Sequence, residues 1–397
     1  MRHIMINCEF GAIKWVTLCT FLLFGFPAVC AEPIMAQGSK ADLIKHGEYL
    51  AKIGVCAACH TPPITPPSQK NLSMQQQMLQ IRSNPDWFSY LDHDKSLSGG
   101  VPFIIRISGD SSGLVVSRNL TPDMQTGLGS WSTEEIKKVI RTGIRKDGTS
   151  LFLFAPHTFY ANLADEDVTA LAVYLQSLKP VKHEIIPRQL PFPVAASSQS
   201  LGMLKTAPTG PSLQRGQYLL RSLVGCIECH SHKRRDGTLA ELAGGFPQSG
   251  PVSGVFRLGP DLPLHQSERG FAAFPYPGYA ALYSDNLTRY GKGGDLQKID
   301  SVKIIKAIRS GISIFPDKYG RPNLVAHVMM WQFYKDMSDN DVSSIVSYIK
   351  DSRFEPAYVG PRLIYFGESW EELFKHIYGE PPSANDKRIF GKTKDKE

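Results

Sequence analysis

Two five-residue runs constrain this chain more than any other feature: Cys56-Ala-Ala-Cys59-His60 and Cys226-Ile-Glu-Cys229-His230. The pattern C-x-x-C-H is the attachment signal for a c-type haem. Two thiols bond to the haem vinyl groups, and the adjoining histidine reaches the iron from the proximal side. A redox-active C-x-x-C pair needs no histidine after it. A zinc site built from four thiolates leaves both histidines unexplained. The chain has seven cysteines, and Cys8, Cys19 and Cys30 precede the rest. Every later cysteine lies in a motif, so none remains for a disulfide. Two covalent haems, and hence iron, follow as the expected cofactors. Cys56, Cys59, Cys226 and Cys229 are the covalent sites, and His60 and His230 the proximal axial ligands.

Matching segments accompany the two motifs in the same order. Gly47-Glu-Tyr49-Leu50 precedes the first, and Gly216-Gln-Tyr218-Leu219 the second. Asn119-Leu-Thr121 follows the first motif, and Asn286-Leu-Thr288 follows the second at nearly the same offset. Ile140-Arg-Thr-Gly143-Ile144 matches Ile308-Arg-Ser-Gly311-Ile312. Acidic helix starts at Asp165 and Asp339 lead into helices containing Tyr174 and Tyr348. A repeat of this length means two copies of one domain rather than a solenoid.

The apolar spacing predicts a mainly α chain: two tandem class I cytochrome c-like domains with long loops. Residues 41–54 and 214–224 read as the helices entering each motif. Ser132-Thr-Glu-Glu135 reads as a capping box. Phe103 to Ile107 is the best strand-like run. The boundaries expected are a signal peptide at 1–31, the first domain at 40–180 and a Pro-rich linker at 181–213. The second domain follows at 214–352 and a C-terminal extension at 353–397. Within the extension, Trp370 to Tyr378 is amphipathic, and packing against the domains is its expected use ahead of membrane docking.

The N-terminus carries Arg2 and Lys14, then a short apolar run from Trp15 to Phe26. That run falls short of the roughly 20 residues a membrane span needs. It reads as a secretory signal cleaved near Ala31, with an uncleaved anchor as the other reading and lipidation at Cys30 a weaker one. The expected location is the periplasm, in soluble or peripherally membrane-associated form. Cleavage removes Arg2, Lys14 and Glu9, so the formal charge falls by one from +7. This mildly basic balance suits acidic partners or an anionic membrane surface. No clustered basic face indicates nucleic acid.

A low-spin electron-transfer haem needs a sixth ligand, usually Met or His. Met329 lies ten positions before Asp339, which makes it the candidate for the second iron, with Met330 beside it. In the first half the same register, ten positions before Asp165, falls on Ala155. The first iron is then left to His157, to an open or water-filled position, or to the more distant His93, Met74, Met78 or Met124.

The chain resembles the multihaem cytochrome c subunits of bacterial membrane-associated alcohol, aldehyde and gluconate-type dehydrogenases, over most of residues 40–350. The resemblance rests on the haem motifs, on Ser117-Arg-Asn-Leu-Thr-Pro-Asp123 with Thr126-Gly-Leu-Gly-Ser-Trp131, and on Arg141 to Gly148. It also rests on His183 to Pro193 and on Val328-Met329-Met330-Trp331, similar to the family's Val-Met-Pro-Trp ligand loop. The chain departs from the family in having two motifs where members often have three. It also departs in Ala155, and in Gly291-Lys-Gly-Gly294 where the family has Gly-x-Gly-Ser-Trp. The resemblance implies electron transfer from a dehydrogenase catalytic subunit to a quinone, a small cytochrome or an oxidase. Two rivals remain open: a dihaem oxidoreductase, peroxidase or thiosulfate dehydrogenase-like, with catalysis at the first haem, and a haem sensor.

Overall fold

The computed structural model describes residues 39–64, 90–108, 111–152, 157–194, 204–233, 239–244, 256–258, 278–282, 284, 286–288, 296–314, 329–351 and 363–365, with scattered positions from 371 to 387. In chain order the first elements are α1 (Lys40–Ile53), α2 (Cys56–His60), β1 (Pro102–Ser108), β2 (Ser111–Val116), α3 (Thr133–Thr142), α4 (His157–Tyr160) and α5 (Asp165–Ser177). Then come α6 (Leu213–Ser222), α7 (Cys226–His230), β3 (His232–Lys233), β4 (Leu239–Ala240), β5 (Phe256–Leu258) and β6 (Gly278–Leu282). The last are α8 (Ser301–Ser310), α9 (Trp331–Tyr334), α10 (Asp339–Ile349) and β7 (Leu363–Tyr365). The fold is mainly helical, as the spacing predicts.

The helices entering each motif begin within one position of where the sequence puts them. Ser39 caps α1 through a reciprocal pair with Asp42, and Ser132 caps α3 through the expected pair with Glu135. These bonds satisfy amide groups that a helix start otherwise leaves without partners. Both α3 and α8 end on a glycine in the left-handed region, Gly143 at φ 66° and Gly311 at φ 67°, where a side chain is strained.

Helix α1 packs on α5, and α6 on α10. Glycine permits both crossings. A β-carbon on Gly47 would stand 2.0 Å from the Ala170 carbonyl oxygen, and one on Gly216 2.0 Å from that of Ser344. A helix-backbone carbonyl cannot step aside cheaply, so the helices meet at these points only because no side chain intervenes. Behind each crossing, an arginine ties the preceding helix to the closing one. Arg141 reaches Asp165 at 3.0 Å and the Leu163 carbonyl at 2.9 Å, and Arg309 reaches Asp339 at 2.8 Å and the Met337 carbonyl.

The two sequence repeats share one buried cluster. It holds Leu50, Ile53 and Leu171 from the first half and Leu219, Leu223 and Ile345 from the second. Reciprocal polar contacts close the seam. Tyr49 donates to Asp341 at 2.6 Å, and its oxygen accepts the amide of Ser338 at 3.1 Å. Tyr218 donates to Asp167 at 2.6 Å, and its oxygen accepts the amide of Ala164 at 2.9 Å. Each tyrosine thus caps the closing helix of the other half. Each aspartate is also held from a second side: Arg215 grips Asp341 at 2.7 and 3.1 Å, and His46 meets Asp167 at 2.6 Å. The same patch serves both sides, the pattern of an isologous contact.

The Pro-rich linker is laced onto the first half. Asn119 donates to the Val181 carbonyl at 2.7 Å, and Leu114 and Gln189 exchange backbone bonds at 2.7 and 2.8 Å. The C-terminal extension returns to the second half as β7, the outer strand of a β5-β6-β7 sheet, too short a run for the sequence to announce. Within 370–378, Phe374 is 1% exposed, and Trp370, Leu373 and 376–378 lie outside the described residues.

Two outcomes follow from these contacts. Gly216→Ala, which drives a methyl group into the Ser344 carbonyl, lowers the thermal midpoint more than the same change at Gly148, where nothing lies within 4 Å and the left-handed φ of 80° is the only cost. Asp341 is pushed up by burial, but the Arg215 and Tyr49 bonds outweigh this and hold it below the ordinary carboxylate value of 3.8. Its stabilisation is therefore complete above that value and fades as pH falls through the lowered one. Asp341→Asn costs about 1.5–3 kcal/mol at neutral pH, the scale of a charged hydrogen bond. Denaturant midpoints should show the gap to the unsubstituted protein closing in strong acid.

Candidate haem attachment sites

Each attachment run begins just after a helix, at a residue with positive φ. Gly225 takes this position at φ 69° without strain, while Val55 holds it at φ 61°, an unusual setting for a β-branched residue. One helical turn follows. Positions i, i+3 and i+4 share a face, so the turn sets Cys56, Cys59 and His60 side by side, and likewise Cys226, Cys229 and His230. Burial, with the neighbouring thiol second, pushes Cys56 up to about 12. Cys226 rises to about 12 for the same reasons, so both thiols are neutral. None of the four cysteines is in a disulfide.

The imidazole of His60 is already oriented. Its Nδ1–H donates to the Arg118 carbonyl at 2.7 Å, which fixes the tautomer and leaves Nε2 with a bare lone pair. Burial lowers its pKa and the Arg118 bond opposes that, with neutrality winning. Gly99, at φ 76°, holds this arrangement: its amide donates to the His60 carbonyl at 2.7 Å, and a β-carbon there would lie 2.6 Å from the Arg118 oxygen. Gly244, at φ 70°, donates to the His230 carbonyl at 2.7 Å in the same way. The hydroxyl after each histidine is a further shared part. Thr61 accepts the amide of Leu97 at 3.2 Å, and Ser231 that of Leu242 at 3.0 Å. Two thiols and a neutral imidazole with a free Nε2 on one face are the donor set a c-type haem requires.

The Asn-x-Thr segments are short clamps. Asn119 Oδ1 accepts the Thr121 amide at 2.9 Å and its hydroxyl at 2.7 Å, and Asn286 does the same for Thr288 at 2.8 and 2.6 Å. The first of them anchors the loop that presents the Arg118 carbonyl. Sequence reasoning did not single out Arg118, Gly99, Thr61 or His183, whose ring packs against Gly100.

On the ligand-loop side, Met329 is half-buried and Met330, at φ 54°, leads into α9. Trp331 lies over Gly311, and Tyr334 donates to the Val224 carbonyl at 3.1 Å, two positions before Cys226. The first half repeats this tie: Tyr160 donates to the Gly54 carbonyl at 2.7 Å, two positions before Cys56. Tyr160 is raised by burial first and then by the fields of Cys56, Cys59, Tyr334 and Glu228. His157 opens α4, its side chain beyond the described residues, and Ala155, Met74 and Met78 also lie outside them. His93 sits in a one-turn 3-10 helix, and Met124 is 67% exposed.

Curated relatives agree with this class. The chain is 28% identical over 262 residues to the cytochrome c subunit of the quinone-dependent alcohol dehydrogenase of Gluconobacter oxydans, covering 60% of this chain and 48% of the relative. It is 28% identical over 323 residues to the gluconate 2-dehydrogenase cytochrome c subunit of Pantoea cypripedii, covering 78% and 59%. It is 28% identical over 230 residues to a dihaem cytochrome c-type protein of Cereibacter sphaeroides, covering 55% and 67%. The matched region spans about half the length of the first two. No protein-family model matches the chain. The protein is a c-type cytochrome with haem c as its cofactor. It is homologous to the cytochrome c subunits of bacterial alcohol and gluconate dehydrogenases, which supports a role in electron transfer. Among the described residues no helix is long and apolar enough to cross a membrane.

The geometry around His60 makes a specific demand. Gly99→Ala displaces the Arg118 carbonyl and frees the imidazole to rotate. Purified Gly99→Ala protein should carry a first haem with a broadened, shifted Soret band, while the second haem keeps its spectrum.

Proposed function

We propose that the protein is a periplasmic dihaem electron carrier, exported by a signal peptide at 1–31, that passes electrons from a dehydrogenase catalytic subunit towards the respiratory chain. The observation that carries the reading is the pair of matching attachment turns, each with its histidine carbonyl held by a left-handed glycine. The two halves, 40–180 and 214–352, act as tandem class I cytochrome c-like domains joined by the Pro-rich linker 181–213. Haem c, bound at Cys56 and Cys59 and at Cys226 and Cys229, supplies a one-electron iron couple. The chain's own residues set how that couple works. His60 would hold the iron through Nε2, its imidazole fixed by the Arg118 carbonyl, and His230 would hold the second iron through its imidazole. Met329 would serve the second iron and His157 the first. Peripheral association with a membrane partner fits the mildly basic charge.

A thioether at the sixth position favours ferrous iron relative to a nitrogen donor. The two haems are therefore inequivalent, the first lower in potential or open to ligands. A redox titration should resolve two waves, and Met329→Ala should abolish the near-infrared sulfur–iron band and lower one of them. A single wave with both irons methionine-ligated would overturn the assignment of the first site. Turnover of peroxide or thiosulfate would transfer the protein to the enzymes.

A further inference from the structure

Three arginines of the first half converge beside the loop that orients His60. Arg118 belongs to that loop. Arg145 lies in the hairpin closed by the Ile144–Ser150 bridge, and its guanidinium donates to Thr149 at 3.0 Å. Arg188 lies on the linker strand, which the Leu114–Gln189 bonds hold along β2, and its guanidinium reaches the Ser150 carbonyl. All three side chains are half-buried. Arg118 and Arg145 are each held below the ordinary guanidinium range, by burial first and then by the neighbouring guanidinium groups. Arginine does not release its proton, so this marks the cost of burial first and mutual repulsion second. The nearby carboxylate, Asp147, is exposed and already accepts the Thr149 amide at 2.9 Å and hydroxyl at 2.6 Å.

Each guanidinium offers five N–H donors. Among the described residues, Arg118 donates none through its side chain. Partly desolvated like charges with spare donors are costly unless an anion joins them. At the positions matching Arg118 and Arg145 the second half carries Asp285 and Ser313, so it does not repeat these two cations in register. The anion of the first half belongs in a half-buried site joined to His60 through one residue. An acidic protein surface would instead be met by exposed lysines. A haem brings two propionate carboxylates with it, matched to the bidentate fork of arginine.

We infer that Arg118, Arg145 and Arg188 bind the propionate carboxylates of the first haem and raise that haem's potential. This rests on the dihaem reading above. An uncompensated propionate stabilises ferric iron, so removing an arginine lowers the potential.

The test uses the full exported holoprotein with Arg118→Gln, Arg145→Gln and, as a control at an exposed cation, Lys138→Gln. A pyridine haemochrome count reports on the dihaem reading itself. Potentiometric titration then reports on the clamp. Both arginine variants should shift the first wave downwards and leave the second in place, and Lys138→Gln should move neither. Arg145→Gln leaves the Arg118 carbonyl untouched, so its result stands even where Arg118→Gln disturbs His60. An unmoved first wave in Arg145→Gln overturns the inference. An unmoved wave combined with weaker, salt-dependent reduction by an acidic redox protein assigns the cluster to docking instead.

Discussion

The reciprocal tyrosine–aspartate lock is the contact on which the rest of the architecture depends. Tyr49 and Tyr218 each satisfy the start of the other half's closing helix, and their aspartate partners are 5% and 0% exposed. Buried carboxylates are costly unless bonded, and at the seam each aspartate accepts a tyrosine hydroxyl from the other half as well as Arg215 or His46 from its own. The lock joins α1 to the start of α10 and α6 to the start of α5. Both α1 and α6 lead into an attachment turn, so the seam and the two turns share the same pair of helices.

This arrangement explains why the Gly-x-Tyr signature occurs twice. The glycine lets the entering helix touch its own closing helix, and the tyrosine two positions on reaches across to the other. Both functions sit on one helix and neither touches the cofactor motif itself.

Much of this was legible from residue pattern. The attachment runs, the register of the repeat, the Ser132 cap and the closing helices all depend on local spacing, and the structure places the cap and the closing helix of the first half where that spacing puts them. The lock was not legible, because Tyr49 and Asp341 are 292 positions apart and nothing in either segment names the other. The Arg118 carbonyl is a backbone group, invisible to any reading of side-chain types. Strand β7 is too short to show a period. Arg188 lies in a linker that composition marked only as Pro-rich.

The two halves share a scaffold but differ in sequence at matched positions: ten residues before the closing helix the second has Met329 and the first Ala155. Under the proposed reading, two haems on one repeated frame hold different potentials through few substitutions. All of this stands on one covalent haem in each half. Intact-mass measurement of the exported chain, followed by peptide mapping, tests it most directly. The account predicts a mass increment of two haems, with one on the peptide containing Cys56 and Cys59 and one on that containing Cys226 and Cys229. An unmodified mass, or both haem signals on one peptide, would contradict it.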